Sequence, residues 1–340
     1  MTLKELEEVI PFDQFSRQYQ VSVILDTLRV EDNPLKLLDV GGYKGHTADF
    51  LHKDDVTVMD LYRVKDENYV HGSALDMPFE DNSFDYVLSF DVLEHIPSGL
   101  RNKFFDECSR VAKLGVIICA PNKTVANERA EASLNDLHIK LHGKPHRWLK
   151  EHIEYVIPDF KALEKYAKSK RYKTVRFHSN KVQLWVPMQQ AIFMNSKYPL
   201  AAEQLTEINR FYNRNLKYDG GGFAESAYRS ILCCLISGAD VVKLQKLEAL
   251  ERPIDPSTEI SLFEKIADYN ASLIAKQNNL ANDYKELHAH EKTRADTLQK
   301  NGEELWQRVN DLDAELGKQV DRGLLKALSH RASKSRRSRQ

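Results

Sequence analysis

Cysteine is scarce in this 340-residue chain, which has four: Cys108, Cys119, Cys233 and Cys234. None of their spacings suits a structural metal or a disulfide framework, so they predict small core residues in a reducing compartment. Long hydrophobic runs are missing too. No stretch approaches the roughly 18 apolar residues that a membrane span requires. The opening Met-Thr-Leu-Lys-Glu-Leu-Glu-Glu is acidic and does not read as a secretory leader, which makes a cytoplasmic chain the expectation. Charge of one sign is absent overall, with a formal net charge of −1. That balance hides a gradient, because Arg322, Lys326, Arg331, Lys334, Arg336, Arg337 and Arg339 end the chain with no acid among them.

What is present is an ordinary soluble composition, 42% hydrophobic and 29% charged. The length allows one large α/β domain of about 200 to 250 residues plus an appendage. The organising stretch is Lys36 to Gly45, in which Leu37, Leu38 and Val40 form the short apolar run of a strand buried on both faces. A glycine-dense turn and a short helix from about His46 to Leu51 follow. Strand, glycine turn and helix place backbone amides against a nucleotide at the carboxyl end of an α/β sheet. Asp60, about 21 residues beyond Asp39, closes a second apolar strand at Val56 to Met59, where a carboxylate can accept both hydroxyls of a ribose. A dinucleotide fingerprint starting at Gly41 needs glycines at 43 and 46, which are Tyr43 and His46. The dehydrogenase reading fails on that spacing.

Asp39, Gly41 and Gly45 resemble motif I, D-x-G-x-G-x-G, of the class I S-adenosylmethionine (SAM)-dependent methyltransferases, with Tyr43 in place of the middle glycine and Gly42 beside it. The resemblance continues through Gly72-Ser73-Ala74-Leu75-Asp76-Met77-Pro78-Phe79 and Asp81-Asn82-Ser83-Phe84-Asp85, and then through Phe90-Asp91-Val92-Leu93-Glu94-His95-Ile96-Pro97. It covers about residues 35 to 122. It implies a Rossmann-like seven-stranded sheet with helical insertions. SAM is the implied cofactor, with its contacts at Asp39, Gly41, Gly42, Tyr43, Gly45, Asp60, Leu61, Ser73, Ala74, Leu75, Phe90 and Asp91. Looser motifs, Glu131 to Asn135, His146 to His152, Ile157-Pro158-Asp159, Tyr212 to Asn215, Tyr218-Asp219 and Tyr228-Arg229, resemble a subgroup found in bacterial surface-polysaccharide gene clusters. They imply O-methylation of a sugar hydroxyl on a glycan or its lipid-linked or nucleotide-linked precursor. An RNA methyltransferase and a non-catalytic SAM-fold scaffold are the alternatives. No N-P-P-Y-like element or Pro-Cys nucleophile supports the first; Tyr43 favours the second.

A sugar hydroxyl keeps its proton at neutral pH, so a general base is expected, and His152 and His95 are the candidates. His95 follows the segment on the carboxyl rim of the sheet; His152 lies in a histidine-rich insertion over it. Trp148 either stacks on a sugar face or pins that insertion to the domain. A metal site on His138, His142 and His146 is set aside, because Gly143 and Pro145 interrupt a continuous helix and no acid completes it. No metal is expected elsewhere.

The domain is expected over residues 1 to 250, with insertions at about 122 to 159 and 184 to 222, then a Pro253- and Pro256-containing linker at 251 to 260. Residues 261 to 320 carry Leu273, Leu280 and Leu287 at sevens and Leu305, Val309, Leu312 and Leu316 at alternating fours and threes, which predicts a C-terminal coiled coil that pairs with itself or a partner. The basic tail at 321 to 340 is expected to be disordered or to contact an anionic membrane at its inner face, with nucleic acid a weaker expectation.

Overall fold

From Lys36 onward, short runs of valine, leucine and isoleucine end at polar turns and form strands, whereas the earlier Val21 to Leu25 run is helical. The computed structural model describes residues 1–43, 45–218, 225–247 and 254–278, together with 299–300, 303–304, 307–308 and 311. Two units divide the chain, Met1–Leu273 and Ile274–Gln340; the account below concerns the first.

Its sheet has seven strands, β1 (Lys36–Val40), β2 (Asp55–Asp60), β3 (Tyr69–His71), β4 (Phe84–Phe90), β5 (Ala112–Pro121), β6 (Lys173–Lys181) and β7 (Ala227–Leu235). The order across it is β3-β2-β1-β4-β5-β7-β6. β1 to β5 run parallel, and β7 enters antiparallel between β5 and β6. β4, β5 and β7 are almost wholly buried, as strands covered on both faces must be. The chain leaves β1 toward β2 on one side and reaches β4 on the other, so the crevice at the carboxyl ends of β1 and β4 is the topological switch point, where open α/β sheets take their ligands.

Two helices precede the sheet, α1 (Leu3–Val9) and α2 (Phe12–Leu28). Thr2 caps α1 in a reciprocal capping box with Glu5, and α2 buries Phe15, Val21, Ile24 and Leu25. The short α3 (Thr47–Phe50) follows the glycine turn, and α4 (Arg101–Val111) connects β4 to β5. The histidine-rich insertion consists of α5 (Val125–His142) and α6 (Arg147–Tyr155), separated where Gly143 takes the left-handed conformation at φ 72°. Then come α7 (Phe160–Ser169), α8 (Val182–Lys197), α9 (Ala202–Asn215), α10 (Gly238–Gln245) and α11 (Pro256–Asn278). α8 carries Pro187 as its sixth residue, where the proline nitrogen cannot donate to the Gln183 carbonyl four residues back.

α11 corrects the expected boundary. Leu262, Ile266, Tyr269 and Leu273 repeat at four, three and four as a coiled-coil seam does, yet all are buried in one cluster with Leu184, Trp185 and Met188 of α8 and Leu205 and Ile208 of α9. The Tyr269 hydroxyl also donates to the Ala191 carbonyl at 3.1 Å. The stretch from Ser261 to Leu273 therefore belongs to the domain. Beyond Asn278 the predicted coil falls outside the described residues except at the helical positions 299–300, 303–304, 307–308 and 311, and the basic tail lies wholly outside them. All four cysteines are buried and unbridged, and none of the described helices is long and apolar enough to cross a membrane.

Candidate active site

The turn after β1 is shaped by close approaches. Gly41 has φ +80°, and a Cβ there would lie 2.3 Å from Val92 Cγ2; a Cβ on Gly42 would lie 2.2 Å from Asp39 Oδ2. Neither position tolerates a side chain without displacement. The Gly41 amide donates to the Met59 carbonyl at 2.7 Å and the Gly45 amide to the Gly42 carbonyl at 2.9 Å, which tightens the loop. Asp39 is buried and accepts the Thr47 hydroxyl at 2.5 Å. Burial outweighs that bond and the distant Arg17 charge, and lifts the Asp39 carboxyl to about 6. Asp60 ends β2 with Oδ2 accepting the Tyr43 amide at 3.2 Å, and the Tyr43 ring stacks on Tyr62 with centroids 4.7 Å apart. Thus Tyr43 takes the middle-glycine position with its backbone tied to Asp60 and its ring against Tyr62.

The remaining expected contacts are spread along the same edge. Leu61 is exposed, and the Ser73 hydroxyl accepts the Leu75 amide at 3.2 Å in its own turn. Ala74 and Leu75 are partly buried against the central core, and Phe90 closes β4 half-buried.

After β4 the chain turns sharply, with Asp91 at φ 52°. Asp91 is held by Arg229 Nη2 at 2.6 Å and Arg17 Nη1 at 2.7 Å, and both arginines also reach Asp13. Burial opposes ionisation of Asp91, but the two guanidinium groups prevail and hold it down at about 2. Its carboxylate is thus already engaged. Nothing in the sequence pointed to Asp13 or Arg17; Arg229 stood out only as part of the Tyr228-Arg229 motif and as an arginine inside an otherwise apolar strand.

A short 3-10 turn, Leu93–His95, brings Glu94 and His95 under α6. The two histidines proposed from sequence do meet: their ring centroids are 5.0 Å apart. His152 is buried on α6, and its Nδ1 lies 2.9 Å from Glu131 Oε1 of α5. The Tyr228 hydroxyl donates to the same oxygen at 2.7 Å. Glu131 thus accepts two donors, which assigns the proton to Nδ1 of His152 and leaves the lone pair on Nε2. Burial works against protonation of His152, yet Glu131, Glu94 and Asp91 together raise its pKa. His95, beside Glu151 with Nδ1 to Oε2 at 2.9 Å, is shifted downward by burial and by His152. Glu94 is buried and lifted to about 8 by burial and by Asp91. Trp148, 43% exposed, sets its ring edge to face against His95 at 4.9 Å. The other histidines do not join: His138 and His142 stack on each other, and His138 and His146 pack against Phe193.

A glycine turn with a carboxylate at the end of the next strand, at the switch point of a mixed seven-stranded sheet, fits the Rossmann-like methyltransferase class. Comparison with known proteins agrees. Residues 38–120 match the family model of the methyltransferase domain. The demethylmenaquinone methyltransferase of Bacillus pumilus is 32% identical over 94 residues, 26% of this chain and 39% of that protein; the chain thus spans well under half of that relative. Among solved structures, the phosphoethanolamine N-methyltransferase 2 of Haemonchus contortus in complex with S-adenosyl-L-methionine is similar at 17% identity and a TM-score of 0.39, over 69% of this chain and 60% of that one. Over residues 38–120 the chain is thus similar to a methyltransferase domain, and SAM is the cofactor. The residues present are compatible with that group: glycine at 41 and 42 lets the turn pack directly on Val92 and Asp39, and Asp60 ends β2 beside the turn, with lone pairs left over after accepting the Tyr43 and Tyr62 amides.

Proposed function

We propose that the chain methylates a hydroxyl of a sugar, on a glycan or its lipid-linked or nucleotide-linked precursor. The observation that carries the reading is the convergence of His95 and His152 beside the end of β4. Val92, whose side chain packs against Gly41, is only three residues from His95, so the segment after β4 that touches the glycine turn also carries one of the two imidazoles. SAM supplies a methyl group on a sulfonium. The chain's task is then to hold the acceptor in line and to deal with its proton. Alignment of two bound reactants contributes roughly 7 to 11 kcal/mol to such a reaction. A base adds about 10² to 10⁴ in rate, and this matters for a hydroxyl, which is still protonated at neutral pH. His152, with Nε2 free and Nδ1 fixed on Glu131, is built to receive that proton. Trp148, 43% exposed beside His95 with the Arg147 guanidinium over its ring at 4.5 Å, offers the aromatic surface on which the apolar side of a sugar ring would pack.

Calorimetric titration with S-adenosylhomocysteine, repeated on Asp60→Ala, tests the cofactor part. Saturable binding that weakens at least tenfold in the variant is expected; no binding by the intact protein overturns the reading. Transfer of labelled methyl to a panel of nucleotide- and lipid-linked sugars tests the acceptor, and transfer to RNA alone would replace it.

A further inference from the structure

We propose that Glu94, His95 and His152 form a binding site for a divalent transition-metal cation. One donor atom from each lies within 4.8 Å of the other two. His152 is oriented as metal-binding histidines are: its Nδ1 is hydrogen-bonded to Glu131 at 2.9 Å, which leaves Nε2 for a ligand, and the carboxylate behind the ring raises its basicity. His95 lies beside Glu151, Nδ1 to Oε2 at 2.9 Å, and offers one ring nitrogen to the same cluster.

Buried atoms without partners point the same way. Glu94 is 1% and His152 5% exposed, and among the described residues nothing hydrogen-bonds Glu94 Oε2 or His152 Nε2. Leaving such an atom unsatisfied is costly. Two of them in one three-residue cluster are a reason to expect a ligand there. Electrostatics favour a cation. Asp91 is neutralised by Arg17 and Arg229, but Glu131 and Glu151 flank the two imidazoles, and a bound cation would ionise Glu94. Arg101, the other cation near Glu94, directs its guanidinium to the carbonyls of Leu93, Ile96, Tyr155 and Val156.

Two imidazoles and one carboxylate suit zinc, iron or another transition metal, since magnesium and calcium prefer oxygen donors throughout. Three protein ligands leave at least one coordination position open, the arrangement of a catalytic rather than a structural site. Tetrahedral metal bonds of about 2.0 to 2.2 Å set donors about 3.4 Å apart, so side chains whose donors now spread over up to 4.8 Å must close by more than about 1 Å on binding. The role assigned to the cation rests on the methyl-transfer reading: were the cation bound, it would lower the pKa of an acceptor hydroxyl, whose proton would pass to water, and His152 would serve as a ligand in place of the base role it has without metal. The existence of the site does not depend on that reading.

The test uses the full chain, stripped with a chelator, then titrated with Zn²⁺ calorimetrically and with Co²⁺ by visible absorption. One equivalent of tight binding with a Co²⁺ ligand-field band is expected in the wild type and in His142→Ala, which removes a histidine of the other cluster. At least a hundredfold weakening is expected in both His152→Ala and Glu94→Gln. Thermal unfolding checks that the variants remain folded, and Glu94→Gln retains the side chain's shape if His152→Ala does not fold. Absence of a one-equivalent site in the wild type, or equal affinity in the folded variants, overturns the proposal. S-adenosylhomocysteine titrated into the same samples separates the two readings: homocysteine-ligand binding without metal binding sinks the cation site alone, and metal binding without it sinks methyl transfer alone.

Discussion

Asp39 is held in a protonation balance that its surroundings impose. Its carboxyl titrates near 6 in the folded protein against an ordinary 3.8, because burial penalises the charge more than Thr47 compensates. The sign follows from which state binds more protons. Between about pH 4 and 6 the folded chain retains a proton that the unfolded chain has lost, so stability falls as pH rises through that window and stays low above it. The difference amounts to about 3 kcal/mol as an order of magnitude. Asp39→Asn keeps an acceptor for the Thr47 hydroxyl and removes the titration. In urea unfolding of the ligand-free protein its stability relative to the wild type is therefore expected to improve steadily from pH 4 to about 6.5 and then level off; a pH-independent gap would refute the assignment. Asp39 was recognisable from its place before the glycines. Its altered titration was not, because that depends on how completely α2, Thr47 and the turn exclude water.

Helix α11 marks the limit of reading elements from periodicity. A spacing of four, three and four describes an interhelical seam equally well whether the partner is another chain or the same domain, and only the packing of Leu262, Ile266, Tyr269 and Leu273 against α8 and α9 decides between them. Leu262→Ala is expected to cost about 2 to 5 kcal/mol in the full chain, since it opens a cavity in a closed core. Ile260→Ala, at a position 57% exposed, should stay within about 0.5 kcal/mol. Equal effects in chemical unfolding would show that α11 does not dock as described. The strands flanking the glycine turn were legible because their apolar runs were short and ended at turn residues; the antiparallel entry of β7 between β5 and β6 was not, because it is not a local property.

For the molecule as a whole, the charged cluster at the switch point joins elements far apart in sequence. Arg229 on β7 bridges Asp13 on α2 and Asp91 after β4, and Arg17 on α2 bridges the same two acids. Arg229 is 3% exposed, so removing its charge leaves carboxylates facing each other in a poorly solvated place. Arg229→Met is expected to destabilise the chain by about 3 to 5 kcal/mol, and adding Asp13→Asn should recover at least about 1 kcal/mol of it. Additive losses in that double-mutant comparison would mean that the cluster does not act as one network.

Sequence by itself determined the α/β class, the order of most strands and helices, the glycine turn with Asp39 and Asp60, and the choice of His95 and His152 from twelve histidines. Those features are local: apolar runs set the strands, glycine the turn, and position after a strand the rim. Tertiary structure alone decided that the two histidines meet with Glu94, that Glu131 and Glu151 orient their rings, and that Asp13, Arg17 and Arg229 close around Asp91. It also decided that α11 covers the domain. These are contacts between residues tens to hundreds of positions apart, and their energies depend on burial and on distances of a few ångströms, which no spacing along the chain encodes.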